Sequence, residues 1–401
     1  MPRVVVTGLG LVTAIGSNIK ESWAAMLNGQ DGAAEITSFD TSRYKVHRAC
    51  EVKRLNSSNI METKRRYTVY DCLYVATKEA LQDSDILSYQ GLERDKIGTS
   101  IGTLAGELSI FEHRLRDHPY SKKDGFSMDV VLSYPPVTLS TQLSEEFHIE
   151  GPNTILINAC SSGNHALCWA FDILQEHKAN AMVVGGSDVV PQTEFTHFHN
   201  LKALAPEKCQ PFDKNRQGLV VGAGAGVLIL ETLELATKRG ANIYAELKGY
   251  GLSSDGFHMT APHPKGEGAI RAMESALASS KLSYKDIDYI SAHGTGTPLN
   301  DKMETLALKT VFNEMAQKTP CSSVKSMIGH TMGAASAIES VVCCLAIKSG
   351  ALPPTINYET KDPECDIDCV PNEAREAEVK FALNNSFAFG GNNASIVFGR
   401  V

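Results

Sequence analysis

A cysteine among small residues stands where an apolar run changes into a helical pattern. Residues 153–174 read NTILINACSSGNHALCWAFDIL, which predicts a buried strand, a turn at Cys160 and then a helix. The first N–H groups of a helix are unpaired and carry its positive end, so they favour an anion on the sulfur. We therefore predict a nucleophilic Cys160 with a lowered thiol pKa. The alternative is a buried structural cysteine, because cysteine is among the most buried residue types.

Two histidines and a lysine stand in similar settings in the second half of the sequence. His293 follows the strand-like run IDYIS in AHGTGTPLND, at the kind of strand end where open α/β sheets hold ligands. Lys325 and His330 lie in VKSMIGHTMGAA, just before a long apolar helix. Imidazoles can donate to a developing oxyanion, and a lysine among small residues can organise charge. The structural alternatives are a hydrogen-bonded loop histidine, a solvated lysine and a helix cap.

A turn near the end of the chain combines two aromatic residues with two glycines. It reads NNSFAFGGNNAS at 384–395, and glycine lets the backbone approach a ligand closely. Phe387 and Phe389 could wall a tunnel, or they could be core aromatics of a buried hairpin. Together with the cysteine, the histidines and the lysine, this turn meets most requirements for acyl transfer through a thioester.

Composition narrows the classes of protein that these residues can belong to. The 401 residues are 43% hydrophobic and 21% charged, as in ordinary globular proteins. With 38 basic and 46 acidic residues the net charge is −8, which argues against a general nucleic-acid surface but permits a local basic patch. No apolar run is expected to approach the length of a membrane span, and we expect a cytoplasmic protein. The ten cysteines lack disulfide or zinc spacing, so we predict reduced cysteines and no metal site.

Short β-rich runs alternate with helical patterns along the whole chain, which predicts an α/β fold with strands covered on both faces. Strands are expected at 154–159 and 181–188. The apolar stretch 327–350 resembles the helix after Cys160, so the second half echoes the first. We predict two similar halves, 1–240 with the cysteine and 241–401 with both histidines and the lysine. The polar segment 110–137 is expected at a surface or subunit contact.

Six motifs in order carry a resemblance to a known family. The chain reads NACSSG, PFDKNRQG, HMTAPHP, AHGTGTPLND, VKSMIGHTMGAA and NNSFAFGG, and over its whole length it resembles the β-ketoacyl-acyl carrier protein synthases, particularly the synthase II type. The resemblance implies the thiolase fold, with duplicated βαβαβαββ halves in five α-β-α-β-α layers, generally in a dimer. It implies no metal or prosthetic group, because the phosphopantetheine arm belongs to the acyl carrier protein.

The resemblance also implies a role for the cysteine, the two histidines and the two phenylalanines. Cys160 would accept an acyl chain from the acyl carrier protein. His293 and His330 would assist decarboxylation of malonyl carrier protein and stabilise the enolate that attacks the thioester. The product would be a β-ketoacyl chain two carbons longer. The backbone N–H groups of Cys160 and Phe389 would form the oxyanion hole, and Phe387 would be the gatekeeper of the acyl pocket.

Supporting and docking residues follow from the same resemblance. Lys325 would organise charge, paired with Glu304 or Glu339. Acyl carrier proteins are acidic, so a basic patch is expected despite the net charge. Lys64 and Arg65 match the family's docking region, and Lys208 could add to it; the alternative for the first two is an exposed helix start.

Several positions depart from the family's usual pattern. Gln217, Leu219 and Ala223 replace an acid, an aromatic residue and an acid, and Asn300 replaces a glycine. Segment 110–137 also matches poorly, where the family builds its dimer contact and part of its acyl tunnel. These changes suggest a specialised synthase of a type II polyketide or polyene pathway.

Three rival functions have distinguishable signatures. A chain-length factor lacks the nucleophilic cysteine that is present here, although this chain could pair with such a paralogue as a heterodimer instead of forming a homodimer. A biosynthetic thiolase needs a second catalytic cysteine, which the turn FAFGGNNA lacks. A module that only binds carrier protein needs no reactive thiol.

Overall fold

The computed structural model describes residues 1–55, 67–117 and 128–401, and within them one large mixed sheet is flanked by helices. The strands are β1 (Val4–Val12), β2 (Ala34–Glu35), β3 (Arg48–Ala49), β4 (Ile97–Gly102), β5 (Asn153–Leu156), β6 (Ala181–Asp188), β7 (Gly224–Thr232), β8 (Ala245–Ser254), β9 (Tyr289–Ser291), β10 (Cys321–Ser322), β11 (Ala351–Leu352), β12 (Arg375–Glu376), β13 (Phe381–Phe387) and β14 (Asn392–Gly399). The α-helices are α1 (Ile19–Leu27), α2 (Val69–Ser84), α3 (Leu108–Asp117), α4 (Met128–Ser133), α5 (Val137–Phe147), α6 (Ser162–Gln175), α7 (Gln192–Asn200), α8 (Leu233–Lys238), α9 (Glu267–Ser280), α10 (Pro298–Phe312), α11 (Lys325–Ile328) and α12 (Ala335–Ser349).

The main sheet contains the same five-strand arrangement twice. Its order is β10-β9-β13-β14-β8-β1-β7-β6-β4-β5. From the centre outwards, β1, β7 and β6 pair antiparallel, and β6, β4 and β5 pair parallel. On the other side β8, β14 and β13 pair antiparallel, and β13, β9 and β10 pair parallel. The chain therefore has the duplicated order of strands that its sequence pattern predicts.

Helices α6 and α12 lie between the two five-stranded groups. Helix α6 packs on β4 and β6 and reaches β14, whereas α12 packs on β7 and β13. Helix α2 covers the outer face of β1 and β7, and α9 covers that of β8 and β14. The layers are therefore helix, sheet, helix, sheet and helix. The predicted division at residue 240 falls between α8 and β8 and stays a prediction, because the pairing of β1 with β8 joins both groups in one sheet.

The two middle helices begin unusually close together. A Cβ atom at Gly163 would lie 2.5 Å from the backbone nitrogen of Ala337, so only glycine permits this approach. Asn384 of β13 donates to Asn164 of α6 at 3.1 Å and to Ser340 of α12 at 2.8 Å. This buried network fixes the start of both helices against the second group of strands.

The sequence predictions hold for most elements and fail at some boundaries. The strand 181–188 is confirmed, but the strand expected at 154–159 ends at Leu156 because a 3-10 turn begins at Ala159, whose φ is +50°. In segment 110–137, the described residues form most of α3 and all of α4, while 118–127 lie outside the described range.

The expectation that no apolar run approaches the length of a membrane span was wrong. In the described part of the chain, the stretch Met332–Ser349 is long and apolar enough to cross a membrane, with a mean hydropathy of 1.4. It is apolar on all sides because α12 is packed between the two groups of strands, and 89% of the stretch is buried inside the protein.

Candidate active site

Cys160 lies in the short turn between β5 and α6, as the sequence predicts. The turn Ala159–Ser161 leads directly into α6, and the cysteine is buried. Its carbonyl accepts hydrogen bonds from Ser336 at 3.3 Å and from Ser386 at 3.1 Å. The thiol is thus held by contacts to the start of α12 and the end of β13.

His330 contacts the sulfur directly. Its Nε2 lies 3.1 Å from Sγ of Cys160, and its Nδ1 accepts the N–H of Met332 at 3.2 Å. Because Nδ1 accepts, the proton of the neutral ring is on Nε2, facing the sulfur. Its backbone N–H donates to the Val220 carbonyl at 2.7 Å. His330 is therefore positioned as a donor to the sulfur or to an oxyanion beside it.

His293 lies close to both His330 and Cys160. Its ring lies edge-on to that of His330, with 5.5 Å between centroids, and 6.2 Å from the Phe387 ring. Its buried Nδ1 has no hydrogen-bond partner. A ligand atom of His293, a ligand atom of His330 and the sulfur of Cys160 all lie within 4.8 Å of one another. The His293 ring thus lies beside the thiol without a hydrogen-bond partner on its Nδ1.

The buried ion pair of the site joins Lys325 to Glu339. Both side chains are almost fully buried, and Nζ of the lysine donates to Oε1 of the glutamate. Glu304, the other predicted partner, instead accepts the backbone N–H of His293 at 2.8 Å and of Gly294 at 2.7 Å. One glutamate thus fixes the cation and the other fixes the loop that carries His293.

The electrostatics keep both imidazoles neutral. Burial, followed by the charge of Lys325, holds the pKa of His330 well below its usual range. Burial, Lys325 and His330 do the same to the pKa of His293. A neutral imidazole can donate a hydrogen bond without carrying a charge into the buried site. These rings are therefore suited to stabilising a developing anion.

The predicted lowering of the Cys160 pKa was wrong. Burial raises the pKa of the thiol to about 11, against the opposing effects of Lys325 and of the backbone N–H groups of Phe389 and Cys160. Desolvation of the sulfur outweighs the helix start and the nearby cation. The groups that would stabilise a thiolate are in place, but the resting cysteine is a thiol.

The cysteine and the two histidines are a set of ligands that zinc can use. In metal sites the second ring nitrogen of a ligating histidine normally donates a hydrogen bond. In His330 that nitrogen accepts one from Met332, which places a proton on the nitrogen that faces the sulfur. The donor chemistry of His330 therefore favours a thioester centre over a metal centre.

Cys160, His293 and His330 line a cavity of about 260 Å³. Phe387 and Phe389 both line it, and Phe389 also packs on Phe198 with 5.7 Å between ring centroids. Phe387 packs instead against His293. Of the described residues that line the cavity, Cys160 is the only cysteine. The second cysteine that a thiolase would need is therefore not in this lining.

Three of the four single-residue departures from the family pattern line this cavity. Gln217, Leu219 and Asn300 line it, and Leu219 is buried at the position where the family commonly has an aromatic side chain. Ala223 lies elsewhere, in a smaller pocket beside Glu51 and Val190. The shape of the main cavity thus differs from the usual pattern at three positions.

Of the three basic residues predicted for docking, only Lys208 lies among the described residues. Lys64 and Arg65 lie outside the described residues. Lys208 is described, and its ammonium group pairs with Glu359. Lys202, which the sequence analysis did not select, is exposed and lines the cavity. Its place in a polar loop gave no signal beyond its charge.

Sequence reasoning also missed Asp188, which positions the histidine loop. Its carboxylate accepts from Thr103 Oγ1 at 2.7 Å and from the backbone N–H groups of Leu104 at 2.8 Å and Gly333 at 2.7 Å. The signal that could have found it is an acid at the end of the buried run AMVVGGSD.

Comparison with known proteins agrees with this site. The family model "Beta-ketoacyl synthase, N-terminal domain" matches residues 1–236, and "Beta-ketoacyl synthase, C-terminal domain" matches 244–359. The chain is 39% identical to 3-oxoacyl-acyl-carrier-protein synthase 2 of Staphylococcus aureus, over 99% of this chain and 98% of that protein.

Solved structures agree over the whole chain. The ishigamide ketosynthase/chain length factor superposes with a TM-score of 0.92 at 35% identity, covering 100% of this chain and 99% of that one. A type II PKS ketosynthase in complex with its acyl-carrier protein superposes with a TM-score of 0.91 at 32% identity, covering 100% of both chains. The thiolase fold that the resemblance implied is confirmed.

The chain belongs to the β-ketoacyl synthase family. It is an acyltransferase of that class. Ketosynthases of this family use no added cofactor, and their acyl group is carried on the phosphopantetheine of an acyl carrier protein.

Proposed function

We propose that this enzyme is a β-ketoacyl-acyl carrier protein synthase that extends a Cys160-bound acyl chain by two carbons from malonyl carrier protein. The observation that carries the proposal is the contact of 3.1 Å between the Cys160 sulfur and a proton-bearing His330 nitrogen, with His293 beside them in one cavity. A nucleophile and two neutral donors are what a decarboxylative condensation needs.

In the first step, Cys160 attacks the thioester carbonyl of the acyl carrier protein. The thiol loses its proton to solvent or to the departing phosphopantetheine thiolate as the new C–S bond forms. Backbone N–H groups of Cys160 and Phe389, which already point at the sulfur, support the assignment of the oxyanion hole to these two groups. The acyl chain is then bound to Cys160 and the carrier leaves as a free thiol.

In the second step, malonyl carrier protein loses carbon dioxide, and its C–C bonding electrons form an enolate. His293 and His330 donate hydrogen bonds to the enolate oxygen, so no strong base is required. The enolate carbon attacks the acyl carbonyl and expels the Cys160 thiolate, which takes a proton from solvent. The product is a 3-oxoacyl chain on the carrier protein.

Lys325 is proposed to act through its charge. It lowers the pKa values of Cys160, His293 and His330, so it favours both the sulfur anion and the neutral rings. Its pairing with Glu339 keeps this cation in place. The lysine is therefore an electrostatic organiser and does not transfer a proton in this scheme.

Phe387 is proposed as the gatekeeper, as the sequence predicts. It lines the cavity, and its ring packs against that of His293, which lines the cavity too. Phe389 is the alternative, because it packs on Phe198. A comparison of Phe387→Ala with Phe389→Ala decides: loss of the gate lets malonyl carrier protein decarboxylate before acylation, and we expect that premature carbon dioxide release from Phe387→Ala.

An acyl carrier protein is the proposed partner at the mouth of the cavity. Lys202 is exposed and lines the cavity, so it supplies positive charge there for an acidic carrier. Lys208, which pairs with Glu359, and Lys64 and Arg65 are proposed to add to the docking charge. Charge reversal at Lys202 is expected to raise the KM for carrier protein by a larger factor than it lowers kcat. An equal effect with a free acyl-pantetheine substrate would contradict docking.

The subunit contact is proposed at the outer edge of β5. This edge strand is followed by the exposed Ile157, and α4 exposes Val131 and Leu132. The partner is a second copy or a chain-length-factor-like paralogue, and the ketosynthase/chain length factor among the similar structures supports the second possibility. Co-purification with a cysteine-less paralogue would support the heterodimer, whereas a fully active homodimer would exclude the need for it.

A type II polyketide or polyene pathway in the cytoplasm is the proposed setting. Gln217 and Leu219 change the cavity lining, and two similar structures are ketosynthases of that kind or of ishigamide synthesis. All ten cysteines are free, which agrees with a reducing compartment. Ordinary elongation of saturated medium-length chains would contradict the pathway.

The test of the reaction uses purified enzyme, an acyl carrier protein loaded with a short acyl group, and malonyl carrier protein. We expect a 3-oxoacyl product two carbons longer and one carbon dioxide for each product. Cys160→Ala should form no product, while Cys168→Ala, which alters another buried cysteine on α6, should retain activity. Product without carbon dioxide release would contradict the decarboxylating mechanism.

A further inference from the structure

One wall of the catalytic cavity is built from short side chains. Ala203, Gly218 and Leu219 all line the cavity that contains Cys160. The N–H of Leu219 donates to the Ala203 carbonyl at 2.8 Å, so these residues are neighbours in the wall. Leu219 is 2% exposed and stands where the family commonly has an aromatic residue. Its side chain occupies less of the cavity than an aromatic ring would.

Backbone hydrogen bonds place this wall between the two loops that carry the histidines. The residue before Leu219 donates its N–H to the Gly296 carbonyl at 3.0 Å, three residues after His293. The residue after Leu219 accepts the N–H of His330 at 2.7 Å. The leucine side chain lines the same cavity as both imidazoles. The wall therefore borders the part of the cavity in which the proposed reaction forms its enolate.

The reacting carbon of the extender would carry its substituents into this part of the cavity. To form the new bond, carbon 2 of the extender must lie about 3–3.5 Å from the acyl carbonyl on Cys160. In the same geometry its enolate oxygen accepts hydrogen bonds from His293 and His330. A methyl group on carbon 2 is one bond away from the reacting atom, so the residues beside the histidines decide whether it fits. Leucine leaves room there that an aromatic ring would fill.

We propose that this enzyme accepts a branched extender, methylmalonyl carrier protein, as well as malonyl carrier protein, and that Leu219 sets this tolerance. The proposal rests on the proposed function and names the extender class of the same site. The methylmalonyl unit loses carbon dioxide, the electrons of the broken C–C bond form the enolate, and carbon 2 attacks the acyl carbonyl. The Cys160 thiolate leaves and takes a proton from solvent. The product is a 2-methyl-3-oxoacyl chain on the carrier protein.

The test offers equal amounts of malonyl and methylmalonyl carrier protein to enzyme acylated on Cys160 and measures both products by mass. The unaltered enzyme should form the branched product as well as the unbranched one. Leu219→Phe should lower the ratio of branched to unbranched product by about tenfold, the discrimination that one carbon in a filled pocket provides. Leu201→Phe is the matched control, because Leu201 lines the same cavity from the C-terminal end of α7 and is 41% exposed. It should leave the ratio unchanged.

An unchanged ratio in folded Leu219→Phe would overturn the inference, and so would an equal fall in Leu201→Phe. If Leu219→Phe does not fold, Leu219→Ala decides. The larger space should raise the ratio of ethylmalonyl to malonyl product about tenfold, and an unchanged ratio would overturn the inference. Malonyl product without any branched product from the unaltered enzyme would overturn the inference alone. No product from either extender would overturn the proposed function as well.

Discussion

The two five-stranded groups share one topology but supply different chemistry at equivalent strand ends. After β5 and β10, the outermost strands, come Cys160 and His330, each just before a middle helix. At the ends of β4 and β6 lie Thr103 and Asp188, whereas at the ends of β9 and β13 lie His293 and Phe387. The first group thus provides the nucleophile and a hydrogen-bonded support, and the second provides both imidazoles.

The support in the first group holds the chemistry of the second. Asp188 accepts from Gly333, three residues after His330, while Thr103 donates to Asp188. The two halves of the duplicated fold therefore have different roles: the first group of strands supplies the nucleophile and the hydrogen-bonded support, and the second supplies both imidazoles. Changes at equivalent positions should have unequal effects, which the following variants test.

The largest loss is expected from Cys160→Ala. Without the sulfur no acyl-enzyme forms, so condensation should fall by at least about 10⁴-fold. Carbon dioxide release from malonyl carrier protein should persist only at the slow rate of the enzyme before acylation, because both histidines remain while the gate stays closed. Loss of this residual release as well would show that the two groups do not have separate roles.

His330→Ala and His293→Ala should each lower condensation by roughly 10²–10⁴-fold, because each removes a donor to the enolate. The two variants should differ in the rate at which the Cys160 thiol is alkylated. Only His330 contacts the sulfur, so only His330→Ala should change the rate at which iodoacetamide alkylates Cys160. Equal effects on alkylation would contradict the assigned geometry.

Glu339→Gln should destabilise the protein by about 3–5 kcal/mol, because it leaves the buried Lys325 without its counter-charge. Urea unfolding measures the change. The control is Glu378→Gln, which breaks the exposed pair with Arg400 and should cost less than about 1 kcal/mol. A similar small effect at Glu339 would mean that the buried pair is not maintained in solution.

Asp188→Asn tests the support in the first group. The amide can still accept one hydrogen bond but opposes another N–H, so we expect a loss of about 1–3 kcal/mol in stability and a roughly tenfold loss in kcat, as the His330 loop shifts. An unchanged kcat at unchanged stability would mean that Asp188 does not position the loop.

The smallest effect concerns the pH dependence of alkylation at Cys160. With a pKa of about 11, the thiolate fraction should rise about tenfold per pH unit from pH 7 to 10 without a plateau. Cys160 should still react before the other nine cysteines, since burial raises the pKa of Cys209, Cys365 and Cys369 to about 12 and also raises the pKa of the other six. A plateau near neutral pH would contradict the buried thiol.

The sequence predicted what depends on local pattern. Cys160, His293 and His330 each follow a strand and stand among small residues, and the fold brings all three together. The partner of Lys325 depended on packing between α11 and α12, so Glu339 could not be chosen over Glu304. The predicted lowering of the Cys160 pKa was wrong for the same reason, because desolvation by distant elements outweighs the effect of the local helix start.

The burial of α7 could not be predicted from the sequence either. Glu194 lies in this short helix of mixed polarity, and its burial depends on how the helix packs in the fold. Likewise, both Phe387 and Phe389 were visible as a pair, but only tertiary contacts separate the one against His293 from the one against Phe198.

The division of work between the two groups is tested most directly by a single-turnover mass measurement on the peptide that contains Cys160. Enzyme treated with acyl carrier protein should gain the acyl mass on Cys160, and malonyl carrier protein should then remove it as a 3-oxoacyl product. The double variant His293→Ala with His330→Ala should gain the acyl mass but retain it. An adduct on another residue, or discharge at the normal rate in the double variant, would contradict the account.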